Sequence, residues 1–416
     1  MSKKSNTVRK DGSESAIHDL KTQLKKMTGK DWKGVFLLAI SYIPGKIWKC
    51  FDKDLWVVSE YENLARDNGF CFFKYLRTNY PDIKVYYPID YKASDYNSVK
   101  EYGNVVQFGS MKHYCLFWAA NKYIGTTKCF GFPYRRICED LVQWGITSFK
   151  YIFLNHGFTR GYSAIVDANE TNYQLLITCS SKDSEIIIRD NGQPKDIVKC
   201  IGYARHDTLV DTQGEKKQIL IMPTWRTWLK NQLIDENHLE SREKFCKSEY
   251  YITFEKLLND PLLNQILEKN NIELVLYLHE YLQPFSECFS VKSNCFKIGT
   301  TQQYKIQELL KSSSLLITDY SSVCYDFAYM YKPVIYYQFD KEKFEKYQYK
   351  AGDLFSYERD GFGVTVFSKE ELIDEIEKMI DSNFKMPLKY KERVDNFFAY
   401  HDTNNCKRIF EEISKL

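Results

Sequence analysis

Four apolar runs of strand length each end in side chains able to do chemistry: FLNHG at 153–157, IMPTWR at 221–226, LYLHE at 276–280 and ITDYSS at 317–322. His156 precedes Gly157, which permits a tight turn or the close approach of a ligand. A histidine so placed can take a proton near neutral pH and serve as a general base. His279 can donate a hydrogen bond to an oxygen that gains charge as a bond breaks. Arg226 offers a planar fork suited to two phosphate oxygens, and Arg160, shortly after His156, adds a second guanidinium. In the last run Thr318 and Asp319 close the strand, and Ser321 and Ser322 fall at the N-cap and first turn of an apolar helix beginning near Val323. Free amides and the helix dipole favour an anion there, phosphate above all. Capping without a ligand explains two serines equally well, and a lone histidine is more often structural than catalytic. Recurrence at four strand ends is what favours an enzyme acting on a phosphate-rich ligand.

Such side chains converge only if the runs are parallel strands, because ligands of open parallel sheets bind beyond the carboxyl ends. From residue 55 the chain alternates short apolar strands with helix-length segments, the pattern of an α/β protein. Strands are expected near 55–60, 84–89, 105–109, 122–126, 151–157, 175–181 and 197–203, and again near 219–226, 273–280, 295–300, 315–322, 333–338 and 363–367. The polar stretch DTQGEKKQ (211–218) separates the two series. Two similar domains are therefore expected, 55–210 and 211–416, after a basic N-terminal segment 1–54. An insert at 227–255 decorates the second domain, and two helices are expected between 369 and 416.

Across its 416 residues the chain carries 58 Lys and Arg against 55 Asp and Glu, a net +3, which excludes a polycation dedicated to nucleic acid. Its 32 Tyr and 27 Phe suit clefts and membrane-near surfaces alike. The 12 cysteines are scattered with no CxxC pair, the pattern of buried thiols in a reducing cytosol. The N-terminus MSKKSNTVRKDGSES lacks an apolar signal core, which argues against secretion. In residues 30–56, the apolar run Val35–Ile43 is too short to span a bilayer, but Trp32, Trp48 and Lys30, Lys33, Lys46 and Lys49 suit a helix lying in the interface. A core-packed helix fits the same residues. No GxxxxGK[ST], GxGxxG or HExxH motif and no metal-spaced cluster occurs, which argues against a P-loop NTPase, a dinucleotide dehydrogenase or a zinc hydrolase.

The ordered set HGFTRGY (156–162), GYARHD (202–207), MPTWR (222–226), LYLHE (276–280), ITDYSSVCYDFAYMYKPVIYYQFD (317–340), GDLFSYERDGFGVTV (352–366) and HDTNNCKRI (401–409) resembles the CDP-glycerol glycerophosphotransferase family. These are the polymerases and primases of teichoic acid and capsule. The resemblance implies a GT-B-like fold of two Rossmann-like domains facing across a cleft, with an N-terminal helical segment. It further implies transfer of a polyol phosphate from CDP-glycerol or CDP-ribitol to a lipid-linked or polymeric acceptor on the cytoplasmic face of a bacterial membrane, with release of CMP. No further cofactor is implied. Carried over, His156 is the base and His279 the second essential histidine. Ser321 and Ser322 hold the pyrophosphate, with Arg226, Thr318 and Asp319 beside them, and Arg160, Arg205 and Asp207 in support. Thr159 and Arg160 depart from the family's usual HG-x-P-x-K pattern, Glu280 replaces a proline, and the polyol stays open. A nucleotide-sugar glycosyltransferase and a non-catalytic scaffold of a capsule-assembly complex are the competing readings.

Overall fold

The structure, a computed structural model, describes residues 27–230, 233, 239–348 and 354–416. Most of the Lys-rich stretch 20–30, and parts of the 227–255 insert and of the 352–366 motif, lie outside the described residues. Thirteen strands form among the described residues: β1 (Leu55–Ser59), β2 (Lys84–Ile89), β3 (Val105–Gln107), β4 (Lys122–Gly125), β5 (Lys150–Phe153), β6 (Leu175–Thr178), β7 (Val198–Cys200), β8 (Gln218–Ile221), β9 (Glu273–Tyr277), β10 (Phe296–Gly299), β11 (Leu315–Thr318), β12 (Val334–Tyr337) and β13 (Gly363–Val366). Each lies within or against an expected run. The strands stop where the polar tails begin, so His156, Arg160, Arg226, His279, Asp319, Ser321 and Ser322 stand beyond the strand ends, and Thr318 is the last residue of β11.

One sheet has the order β3-β2-β1-β4-β5-β6-β7 and the other β10-β9-β8-β11-β12-β13. Pairing is parallel throughout the second sheet, and between β1 and β2, β2 and β3, β5 and β6, and β6 and β7 in the first. Every residue of β1, β9 and β11 is buried, which is why these strands read as continuous apolar runs rather than as alternating ones. In the second sheet Leu276, Ile221, Ile317 and Ile335 lie in register across β9, β8, β11 and β12. The strand order reverses between β8 and β11, the switch point at which loops splay apart and ligands bind.

Helices named below are α1 (Gly29–Phe51), α2 (Asn68–Asn79), α3 (Met111–Ala119), α4 (Ser181–Asn191), α5 (Val323–Tyr329) and α6 (Asn405–Ser414). The chain forms two compact units. One draws its described residues from 27–65, 76–124 and 129–150, the other from 66–75, 125–128 and 151–416.

In the first unit, Thr28 and Asp31 form a capping box at the start of α1. Asp31, Gly34, Leu38, Ser41 and Gly45 are buried along one face. Gly45 is required there: a Cβ would sit 2.6 Å from Trp118 Cβ and 2.7 Å from the Cys115 carbonyl oxygen on α3. Trp118 Nε1 donates to the Leu38 carbonyl at 3.0 Å. Away from that face Trp32, Phe36, Ile40, Ile43, Ile47 and Phe51 are exposed. The helix is thus core-packed on one side only.

In the second unit, the chain beyond residue 369 holds three helices, Lys369–Asp381, Leu388–Phe397 and α6, where two were expected. The additional one, LKYKERVDNF, buries only Val394 and Phe397, a stripe too narrow to mark a helix in the sequence.

Candidate active site

All the residues of this site belong to the second unit. After β5 the chain turns at Asn155, whose φ of 61° is left-handed, a conformation asparagine tolerates better than most residues. The Asn155 side chain accepts from the His156 amide at 2.8 Å and stabilises the turn. The residues that follow are pinned: Phe158 is buried against Tyr325, Phe355 and Phe397, and the Thr159 amide donates to Asp183 on α4 at 3.1 Å. His156, between the buried Asn155 and this pinned segment, is exposed, with 66% of its side chain open to solvent. A rigid turn thus presents one histidine outward.

Behind that turn lies a charge network. His156 Nδ1 meets Asp67 Oδ2 at 2.5 Å, and Asp67 immediately precedes α2. Arg205 Nη1 donates to Asp67 Oδ1 and to the His156 carbonyl, both at 2.9 Å. The rest of the buried Arg205 guanidinium forks onto Asp326 of α5 at 2.9–3.1 Å. Burial opposes the charge on Arg205, but Asp326 and then Asp67 outweigh it and raise its pKa. Burial likewise pushes the Asp67 carboxyl up, and His156 and Arg205 more than offset this, leaving it lowered. The motif aspartate Asp207 stands apart: it accepts from the Asn405 amide at 2.9 Å and the Cys406 amide at 2.8 Å, capping α6.

The TDYSS loop adjoins the same turn. A Cβ on Gly157 would lie 3.9 Å from both Ser322 Oγ and Arg205 Nη2. Arg160 reaches the loop from the other direction, donating to the Tyr320 carbonyl at 2.6 Å and the Ser321 carbonyl at 3.3 Å, and to the Tyr357 hydroxyl. Ser322 is the N-cap residue of α5 and is exposed, while Ser321 Oγ accepts from the Val323 amide at 3.4 Å. The Tyr320 ring turns inward and stacks on Phe344 with 3.6 Å between centroids.

Three of the expected phosphate ligands are committed elsewhere. Thr318 Oγ1 donates to the Met222 carbonyl at 2.7 Å, tying the end of β11 to that of β8. Asp319 accepts from the Thr224 amide and hydroxyl at 2.8 and 2.7 Å. Arg226 is fully buried. It forks onto Asp340 at 2.7 and 3.0 Å, pairs with Asp319 at 2.8 Å and donates to the Thr224 carbonyl at 2.6 Å. Its guanidinium therefore shapes the two loops at the switch point and does not stand open to a ligand.

His279 follows β9, the neighbour of β8. Its Nδ1 accepts from the Tyr281 amide at 3.3 Å, and its ring lies among Trp225 and Tyr281. Lys230 sits over the Tyr281 ring at 3.6 Å. Burial, then repulsion from Lys230, lowers the His279 pKa to about 4. A neutral ring at pH 7 with Nδ1 accepting carries its proton on Nε2, as a hydrogen-bond donor. Among the described residues no group of three His, Cys, Asp or Glu is arranged to hold a metal ion.

The strand-end reading singled out His156, His279 and the serines, and the structure sets the turn after His156 beside the serine loop. It did not single out Asp67, Asp183, Asp326 or Asp340, carboxylates that orient those loops. The signal available was RDN (66–68) at a helix start and the aspartate in VCYDF, neither distinguishable from an ordinary cap or surface charge.

Residues 46–415 match the family described as CDP-Glycerol:Poly(glycerophosphate) glycerophosphotransferase. The minor teichoic acid biosynthesis protein GgaB of Bacillus subtilis is 32% identical over 370 residues, which is 88% of this chain and 40% of GgaB. The teichoic acid poly(glycerol phosphate) polymerase of the same organism is 23% identical over 443 residues, 96% of this chain and 53% of the polymerase. The chain thus spans about half the length, or less, of these relatives. Among solved structures, that of the wall teichoic acid polymerase TagF aligns with a TM-score of 0.62 at 17% identity, covering 96% of this chain and 97% of that one. The UDP-GlcNAc 2-epimerase from Neisseria meningitidis aligns with a TM-score of 0.50 at 12% identity, covering 87% of this chain and 100% of that one. Likeness at these identities is one of fold, and the fold is GT-B-like.

Proposed function

Because the chain belongs to the CDP-Glycerol:Poly(glycerophosphate) glycerophosphotransferase family, we propose that it moves a polyol phosphate, from CDP-glycerol or CDP-ribitol, to a hydroxyl of a lipid-linked or polymeric acceptor in teichoic acid or capsule synthesis. The acceptor oxygen attacks the donor's β-phosphorus and forms the new P–O bond, and His156 takes the hydroxyl proton. The bond from that phosphorus to the bridging oxygen breaks, and CMP leaves with the electron pair. Charge gathers on the bridging oxygen, where the Nε2–H of His279 and the amides and hydroxyls of Ser321 and Ser322 offset it. Arg226, Thr318 and Asp319 hold the loops at the switch point, and Arg160 and Arg205 hold the HG turn and the serine loop together. Residues 55–210 then supply the acceptor-side base and residues 211–416 the CDP side.

The observation that carries this reading is the adjacency of the turn that bears the exposed, buttressed His156 to the serine loop: a Cβ added at the next residue, Gly157, would lie 3.9 Å from Ser322 Oγ. The enzyme works at the cytoplasmic face of the membrane as a peripheral protein. The exposed stripe of α1, from Trp32 to Phe51, with Lys30 and Lys33 exposed nearby, supports this placement. Incubation with CDP-glycerol, CDP-ribitol and a panel of nucleotide sugars tests the reading. Turnover of a CDP-polyol alone is expected, and turnover of nucleotide sugars alone overturns it.

A further inference from the structure

We propose that Asp67 is a positioning residue of the transfer reaction, which fixes the His156 imidazole with its proton on Nδ1 and the lone pair of Nε2 directed at the acceptor hydroxyl. The inference rests on the role given to His156 above.

A neutral imidazole has one N–H, and the partner of one ring nitrogen decides which nitrogen carries it. An ionised carboxylate only accepts, so a carboxylate 2.5 Å from Nδ1 selects the Nδ1–H tautomer. Nε2, across the ring, is then the basic atom. Asp67 is itself held in place: Arg205 Nη1 lies 2.9 Å from its other oxygen and donates to the His156 carbonyl as well. One guanidinium therefore fixes both the carboxylate and the backbone of the histidine that the carboxylate orients. Arg205 is fixed in turn by its fork onto Asp326. The permanent charge of Arg205, 2.9 Å from the other oxygen, favours the ionised Asp67 carboxylate whichever state the ring is in, so Asp67 remains an acceptor.

Orientation matters because the His156 side chain is 66% exposed, and an exposed side chain has rotamer freedom to lose. The Asp67 side chain is only 15% exposed and restrains it. When the acceptor proton moves to Nε2 the ring becomes a cation, and the fixed negative charge beside Nδ1 stabilises it without taking a proton. Asp67 lies 89 residues from His156 in the chain, and no motif spacing links the two.

A role limited to anchoring Arg205 makes a different prediction. Asp67→Asn keeps an oxygen for Arg205 but can turn its amide toward Nδ1, which favours the Nε2–H tautomer. We expect kcat to fall about 10²- to 10⁴-fold, with the donor KM within about threefold of wild type, and Asp67→Glu to recover part of the loss. Wild-type kcat in Asp67→Asn overturns the proposal. Nitrogen-15 NMR of the histidine-labelled wild-type chain, assigned with His156→Gln and recorded at a pH where the ring is neutral, reads the tautomer directly. The Nδ1–H form is expected, and the Nε2–H form overturns the proposal even if Asp67→Asn does not fold. This measurement needs no turnover, so failure of the wild type to use any CDP-polyol would sink the proposed reaction and still leave the position of the proton decided.

Discussion

In the proposed reaction His156 and His279 take opposite roles, because their surroundings differ. His156 is exposed beside a carboxylate, which suits a base, whereas His279 is largely buried with Lys230 nearby, which keeps its ring neutral. His156→Ala and His279→Ala should each lower CMP release on the order of 10²- to 10⁴-fold while leaving the circular-dichroism melt close to wild type. Arg226→Ala should behave differently. It leaves Asp319 and Asp340 buried without their counter-charge and should cost about 3–5 kcal/mol in urea unfolding. A raised donor KM with unchanged stability would instead restore Arg226 as a phosphate clamp. The acid limb of stability carries a further signature. The folded pKa of His279, about 4, lies below the ordinary 6.5, so the unfolded chain binds the proton first. The His279 contribution is complete above pH 6.5 and is lost as pH falls toward 4. His279→Gln should therefore lose less stability than wild type between those values, measured by urea midpoints at pH 7, 5.5 and 4.5.

At the scale of elements, the central strands β1, β9 and β11 were legible because every one of their residues is buried, so each appears as an apolar run with a polar end. Their ends located the histidines and serines for the same reason, since loops at the carboxyl edge of a parallel sheet are where polar residues can face a ligand. What each polar end does was less legible. Arg226 has the composition of a clamp, and only the fold brings Asp319 and Asp340 around it. Asp207, inside a motif, caps a helix that begins 198 residues later at Asn405. Asp207→Ala should lower stability by about 1 kcal/mol, in the range of a lost helix cap, with the loss read in the melting temperature. A fall in turnover at unchanged melting temperature would place Asp207 in the chemistry instead. In the sequence Asp67 could not be told from an ordinary helix-start aspartate, because its contact with His156 is made across 89 residues.

For the whole molecule, α1 and the proposed transferase site bear on separate questions, of where the protein would work and of what it would do. Exposed Phe36, Ile43 and Ile47 at helical spacing should enter the interface of an anionic bilayer. Phe36→Glu with Ile43→Glu should abolish flotation with vesicles containing phosphatidylglycerol while leaving turnover of a soluble acceptor intact. Undiminished flotation would remove α1 as the contact. The central claim is that phosphorus, not a sugar carbon, is attacked. Phosphorus-31 NMR of the full chain with CDP-glycerol and a glycerol-phosphate-primed acceptor distinguishes the two most directly. The account predicts loss of the diphosphate pair and equal growth of the CMP monoester and a new phosphodiester; release of CDP, with the diphosphate kept whole, would contradict it.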